Sequence, residues 1–184
     1  MAKKGNTEIT LNINIDMPAD VPVNALLLKT GLWKQHFPDD QNKLMIAQAL
    51  NYCTYHKGLH IVGYLITSSN LYLVLRIEKA DLNNMLTIFY DALRKEIKQY
   101  QEYLKNQRLQ GDGMRTKAGE AFTGLFTQYE LLNYKLIRLI TGQPTDEIFF
   151  DPQLAWLKKS LQHYNFCSMI DYSGAKGPVK IIRL

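Results

Sequence analysis

The residues of this chain able to do chemistry are few and dispersed. Its four histidines, His36, His56, His60 and His163, form no H-x-H pair. His56 and His60 stand at i and i+4, a spacing that can hold a metal on one helix face. Gly58 lies between them, so they read instead as a helix-end cation and a strand residue. Cys53 and Cys167 are far apart in sequence and sit in no C-x-x-C or Cys/His spacing, which points to reduced thiols rather than a zinc site or a disulfide. Positive charge, by contrast, recurs with a period. Arg94, Lys98, Gln101, Lys105 and Arg108 follow at steps of four, three, four and three, so a helix sets them along one face, where they can track phosphates. Between Arg94 and Lys117 there are seven basic and three acidic residues, a surplus of four against five for the whole chain. Arg115 and Lys117 belong to a glycine-rich basic loop from Gly111 to Gly119. Among eleven tyrosines, Tyr103 lies off the apolar stripe of that helix and is the candidate for stacking on bases. Tyr100, Trp33 and Trp156 read as packing residues.

The elements that must position these residues follow from hydrophobic period. Ile9, Leu11, Ile13 and Ile15 alternate with polar residues and predict a strand or arm; Val23 to Lys29, Leu59 to Thr67 and Asn70 to Ile77 predict three more, the last two joined tightly by Ser68 and Ser69. Pro38-Asp39-Asp40 opens a helix that Gly58 stops. Asp81 is positioned to cap a long helix whose apolar stripe runs through Leu82, Leu86, Phe89, Leu93, Ile97 and Leu104. Phe126 to Ile140 predicts a further helix closed by Gly142 and Pro144. Asp151 to Tyr164 predicts another, and Val179 to Leu184 a short strand. That order predicts an α+β fold, a mostly antiparallel sheet with helices packed on its faces, in a ferredoxin-like sandwich. With 184 residues, 46% of them hydrophobic and a net charge of +5, one domain over 1–184 is expected, with an N-terminal arm at 1–22, a core at 23–174 and a tail at 175–184. The composition excludes disorder as the main state. No apolar run approaches a membrane span, and polar residues follow the N-terminal lysines, so a cytoplasmic protein with no membrane partner is expected.

Four segments in collinear order resemble the single-tyrosine HUH transposases, most closely the REP-associated branch. Tyr64 to Leu75 resembles the strand that carries that family's H-x-H pair. Phe37-Pro38-Asp39-Asp40 resembles the opening of its first helix, and Leu136 to Pro144 the helix that holds its nucleophilic tyrosine. Tyr164 to Gly174 resembles its closing S-S-x-x-D-Y-x-G motif. The resemblance implies a scaffold on which two histidines and a polar side chain hold Mg²⁺ or Mn²⁺, the metal polarises a phosphate of single-stranded DNA, and a tyrosine attacks it in DNA transposition by a bacterial mobile element.

This chain departs from the pattern at the chemistry itself. Asn70 and Tyr72 stand at the H-x-H positions, Leu139 stands at the tyrosine, and only Gln143, at the third ligand, is of an acceptable type. The resemblance therefore implies a pseudoenzyme that binds single-stranded or hairpin DNA without cutting it, with no cofactor expected and Mg²⁺ or Mn²⁺ required only if activity survives. Its DNA-binding candidates are Arg94, Lys98, Gln101, Lys105, Arg108, Arg115, Lys117 and Tyr103. One alternative is an active enzyme with a displaced nucleophile, Tyr129 or Tyr134, where Tyr129 and Asn133 at i and i+4 of one helix reproduce the tyrosine-plus-ligand spacing. Another is a scaffold for protein contact, including a homodimer, through the Ile9 to Ile15 strand or the apolar stripe.

Overall fold

The computed structural model describes residues 22–108, 124–144 and 150–183. The expected arm at Ile9 to Ile15 and the loop residues Arg115 and Lys117 lie outside them. Strand β1 (Val23–Thr30) leads through a short 3-10 helix, Leu32–His36, to α1 (Asp39–Lys57). Strands β2 (His60–Ile66) and β3 (Asn70–Arg76) form a hairpin, α2 (Lys79–Arg108) follows, and β4 (Phe126–Glu130) completes the sheet. The strands lie in the order β2-β3-β1-β4, and each neighbouring pair is antiparallel. This is a βαββαβ ferredoxin-like arrangement. Helices α3 (Tyr134–Ile140), α4 (Pro152–Leu161) and α5 (Met169–Tyr172) come after it. The fold is α+β, with an antiparallel sheet covered by helices on both faces, as the element order predicts.

Alternation along the strands divides the core in two. Leu26 and Leu28 of β1 and Leu71, Leu73 and Leu75 of β3 face α1 and α2, where they meet Met45, Leu50, Phe89, Leu93 and Ile97. Val74 and Leu65 face the other way, onto Leu136, Ile137, Leu139 and Ile140 of α3 and Leu154 and Leu161 of α4. The cysteines fall on opposite sides of the sheet, Cys53 in the first cluster and Cys167 in the second, so they form no disulfide. Burial pushes both thiols up to about 11.

Four expectations need correction. Phe126 to Ile140 is not one helix: its first five residues are β4, and the helix starts only at Tyr134. The free edge of β1 offers backbone partners from Leu26 to Thr30, and that ladder outweighs the weak local preference of the segment. Asp81 does not cap α2, which begins at Lys79; it lies in the first turn, where its charge favours the positive end of the helix dipole. The tail makes no strand, only an Ile182 N–H donated to the Ile61 carbonyl with Val179 and Ile181 buried. Trp33 does pack, with its indole N–H on the Leu125 carbonyl, but Trp156 is 67% exposed.

The second layer is fixed by a contact that leaves no room for a side chain. At Gly63 of β2 a Cβ would stand 2.6 Å from the Ile140 carbonyl oxygen, so the last turn of α3 lies directly on the strand. The closing segment locks it there. The Ser168 hydroxyl accepts from the Tyr64 N–H at 2.9 Å, and its proton has the Ile140 carbonyl at 2.5 Å and the Tyr64 carbonyl at 3.0 Å within reach. Tyr172 donates to the Val62 carbonyl at 2.7 Å, and its ring fills the space against Gly142, whose φ of 67° ends α3. Asp171 accepts from the Gly177 N–H, fastening the tail. Gly63→Ala is expected to cost about 1–3 kcal/mol by overpacking. A urea titration should show a lower midpoint at unchanged slope, and a midpoint equal to the parent would refute the close contact.

Candidate nucleic-acid interface

Because α3 lies over β2, the far side of that sheet face, on β4 and the Lys29 end of β1, is the more exposed one, while Val23, Ala25 and Leu27 of β1 pack against the α3 and α4 layer. Register decides what it displays. Leu27 pairs with Tyr72 of β3 on one side and with Tyr129 of β4 on the other, so the three side chains form one row on the α3 face. The next row, toward the end of the sheet where β1 stops, is Asn70, Lys29 and Thr127. Tyr129 is 50% exposed, Lys29 and Thr127 are exposed, and Asn70, Tyr72 and Leu27 are half-buried. The Asn70 amide donates to the Tyr72 hydroxyl at 3.3 Å.

The basic stripe rises from the same end. The 30 residues of α2 span about 45 Å, roughly twice the length of a seven-residue strand, and its buried stripe runs to Ile97 and Tyr100, so its last turns extend past the core. One turn before Arg94, Tyr90 stacks on Phe126, the first residue of β4, at 5.7 Å between centroids. The stripe therefore starts beside the β4 edge. Arg94, Lys98 and Lys105 are exposed and Gln101 is half-buried. Arg94 is paired with Asp91 at 2.8 Å, whereas Lys98, Lys105 and Lys29 have no carboxylate partner among the described residues. Arg108 ends the helix. Tyr103 is not part of this surface. Nine residues from Arg94 is two and a half turns, which puts it on the opposite flank, where it stacks on Tyr100 and bonds Gln107.

The positions aligned with the transposase chemistry do not reproduce it. Leu139 is 5% exposed, in the cluster that holds Val62, Leu65 and Val74, so hydrocarbon fills the place of the nucleophile. Gln143 follows the turn at Gly142; its Nε2 is buried and meets no acceptor among the described residues. Asn70, Tyr72 and Gln143 supply only neutral donors, and Asn70 and Tyr72 already bond to each other. Magnesium and manganese favour carboxylates, carbonyls and water, and no group of three His, Cys, Asp or Glu side chains able to hold a metal occurs among the described residues. This donor set does not fit the family's divalent ion.

The rival nucleophiles fare no better as a built site. Tyr129 lies on a strand, not a helix, so it shares no helical face with Asn133. Asn133 is the N-cap of α3, its side chain accepting from the Leu136 N–H at 3.0 Å. Tyr134 is the first residue of α3 and 48% exposed. Neither phenol is hydrogen-bonded to a base among the described residues. A concavity of about 820 Å³ lies elsewhere, between Asn51 and Tyr55 of α1 and the tail from Gly174 to Arg183. Asn51 already spends its amide there on the tail backbone at Pro178 and Lys180, which makes it a docking clasp.

Lys29 and Thr127 escape sequence reading because the register that brings them to Asn70 is tertiary. β4 itself left no period-two signal, since Phe126, Gln128 and Glu130 do not alternate in polarity with Thr127 and Tyr129. Comparison with family models, with curated proteins and with solved structures found no match for this chain. The cap assignment is testable by itself. Asn133→Ala should lower stability by about 1 kcal/mol while Asn133→Asp, which keeps the acceptor, stays near the parent. Equal urea midpoints for Asn133→Ala and the parent would remove the cap.

Proposed function

We propose that this protein is a transposase-like scaffold that binds single-stranded or hairpin DNA without cutting it. The observation that supports this best is the convergence, at one end of the sheet, of unpaired exposed cations from two layers. Lys29 stands on the open sheet face, and Lys98 and Lys105 lie on the stretch of α2 that rises past the β4 edge. Cations along such a path neutralise successive phosphates and release their counterions. The replacements at Asn70, Tyr72 and Leu139 remove both the family's metal ligands and its nucleophile, so the surface holds a strand but has no means of attacking it. Homodimer formation and a protein-only role would leave this surface without a polyanion to meet.

The test is fluorescence anisotropy of a labelled hairpin with a single-stranded flank. Three phosphate contacts on a single strand predict an affinity loss of about 20-fold between 50 and 200 mM salt. Replacing Arg94, Lys98 and Lys105 together by Gln should flatten that dependence without moving the urea midpoint. Absent or salt-insensitive binding would refute the reading. So would a covalent DNA adduct in the mass spectrum after incubation with Mn²⁺, lost on Tyr129→Phe or Tyr134→Phe, which would establish an active enzyme with a displaced tyrosine.

A further inference from the structure

We infer that the open half of the sheet binds the unpaired bases of single-stranded DNA, stacking them on Tyr129 and, across Leu27, on Tyr72. This rests on the DNA-binding reading above and names which part of the strand the face takes. Leu27 pairs directly with both tyrosines, so two phenol rings stand on one face with strand axes about 10 Å apart and an aliphatic floor between them. Four-stranded sheets of this topology use aromatic side chains on their strands to stack two or three bases, because every base offers a π-face whatever its sequence. Asn70 is a positioning residue here, its amide holding the Tyr72 hydroxyl. A residue pair that cannot ligate a metal is thus well suited to orient a ring.

Charge selects the occupant. The row beside the tyrosines carries Lys29, and α3 adds Arg138 on the same layer. Lys135 of α3 and Asp151 neutralise each other there. Glu130 shares its face with Leu26, on the α1 and α2 side. An apolar protein surface would gain nothing from these cations, whereas a phosphate backbone running beside stacked bases meets them. Double-stranded DNA would present phosphates but hide its bases.

The experiment is a thermodynamic cycle on the full chain, using a labelled single-stranded thymidine oligonucleotide and the same strand with abasic sites. The parent is expected to prefer the base-bearing strand by about tenfold. Tyr129→Ala should abolish that preference while leaving abasic affinity unchanged, and Tyr129→Phe, which keeps the ring, should retain it. Quenching of 2-aminopurine placed in the strand reads stacking without any substitution. Equal affinity for the two strands, a preference that survives Tyr129→Ala, or an unquenched 2-aminopurine would overturn the proposal. A preference for the RNA strand of the same sequence would overturn the DNA assignment. Failure of the underlying reading looks different, since the parent would then bind neither strand at low salt.

Discussion

The seating of α3 on Gly63 is the constraint from which the rest of this molecule follows. A glycine there lets a helix carbonyl approach the strand to a distance that any Cβ would forbid, and Ser168 and Tyr172 hold the helix in that place through backbone atoms of β2. With α3 committed to β2, β4 and the Lys29 end of β1 stay exposed on that face. The same segment closes the outer edge of β2, with the Ile66 N–H on the Phe166 carbonyl and the Ser168 N–H on the Tyr64 carbonyl. The covered half of the face and the covered edge are therefore on one side, and the open half and the β4 edge on the other. Asymmetry of burial, rather than any single polar residue, creates the surface that can receive a ligand.

The closing motif that supports the family resemblance proves to be made of fastenings. Asp171 holds the Gly177 N–H, and its charge together with burial keeps the Tyr64 phenol un-ionised, far above its usual range. Burial likewise holds the Tyr172 phenol up to about 12, with Asp171 adding to the shift. None of these groups reaches the sheet face that carries Asn70 and Tyr72.

Legibility followed the range of the interaction. The α1 start at Asp39 and its stop at Gly58, whose φ of 68° only glycine adopts without strain, are written in neighbouring residues and could be read directly. So could β2, β3 and the stripe of α2, because burial on one face imposes its period on the sequence. β4 could not, since three of its five side chains make no period that a helix would not also fit, and its identity as a strand depends on the bare edge of β1. Tyr129 was visible as a residue and misread as an element: placed on a helix it pairs with Asn133, and placed on a strand it pairs with Leu27. One change of period moves it from a catalytic guess to a row of the sheet. Trp156 shows the same limit from the other side, since a large apolar residue in a helical pattern says nothing about which flank finds a neighbour.

Asn70 and Tyr72 form a pair with a geometry of its own. On a strand, positions i and i+2 share a face whatever occupies them, so the geometry that would set two ligands on one ion sets a hydrogen bond between Asn70 and Tyr72 instead. That bond ties up the donor most able to approach a phosphate and fixes the ring beside Leu27. Leu139, 5% exposed, adds hydrocarbon to the cluster that also holds Val74 and Leu65. A ring fixed by a neighbouring hydrogen bond loses less freedom when a partner packs on it.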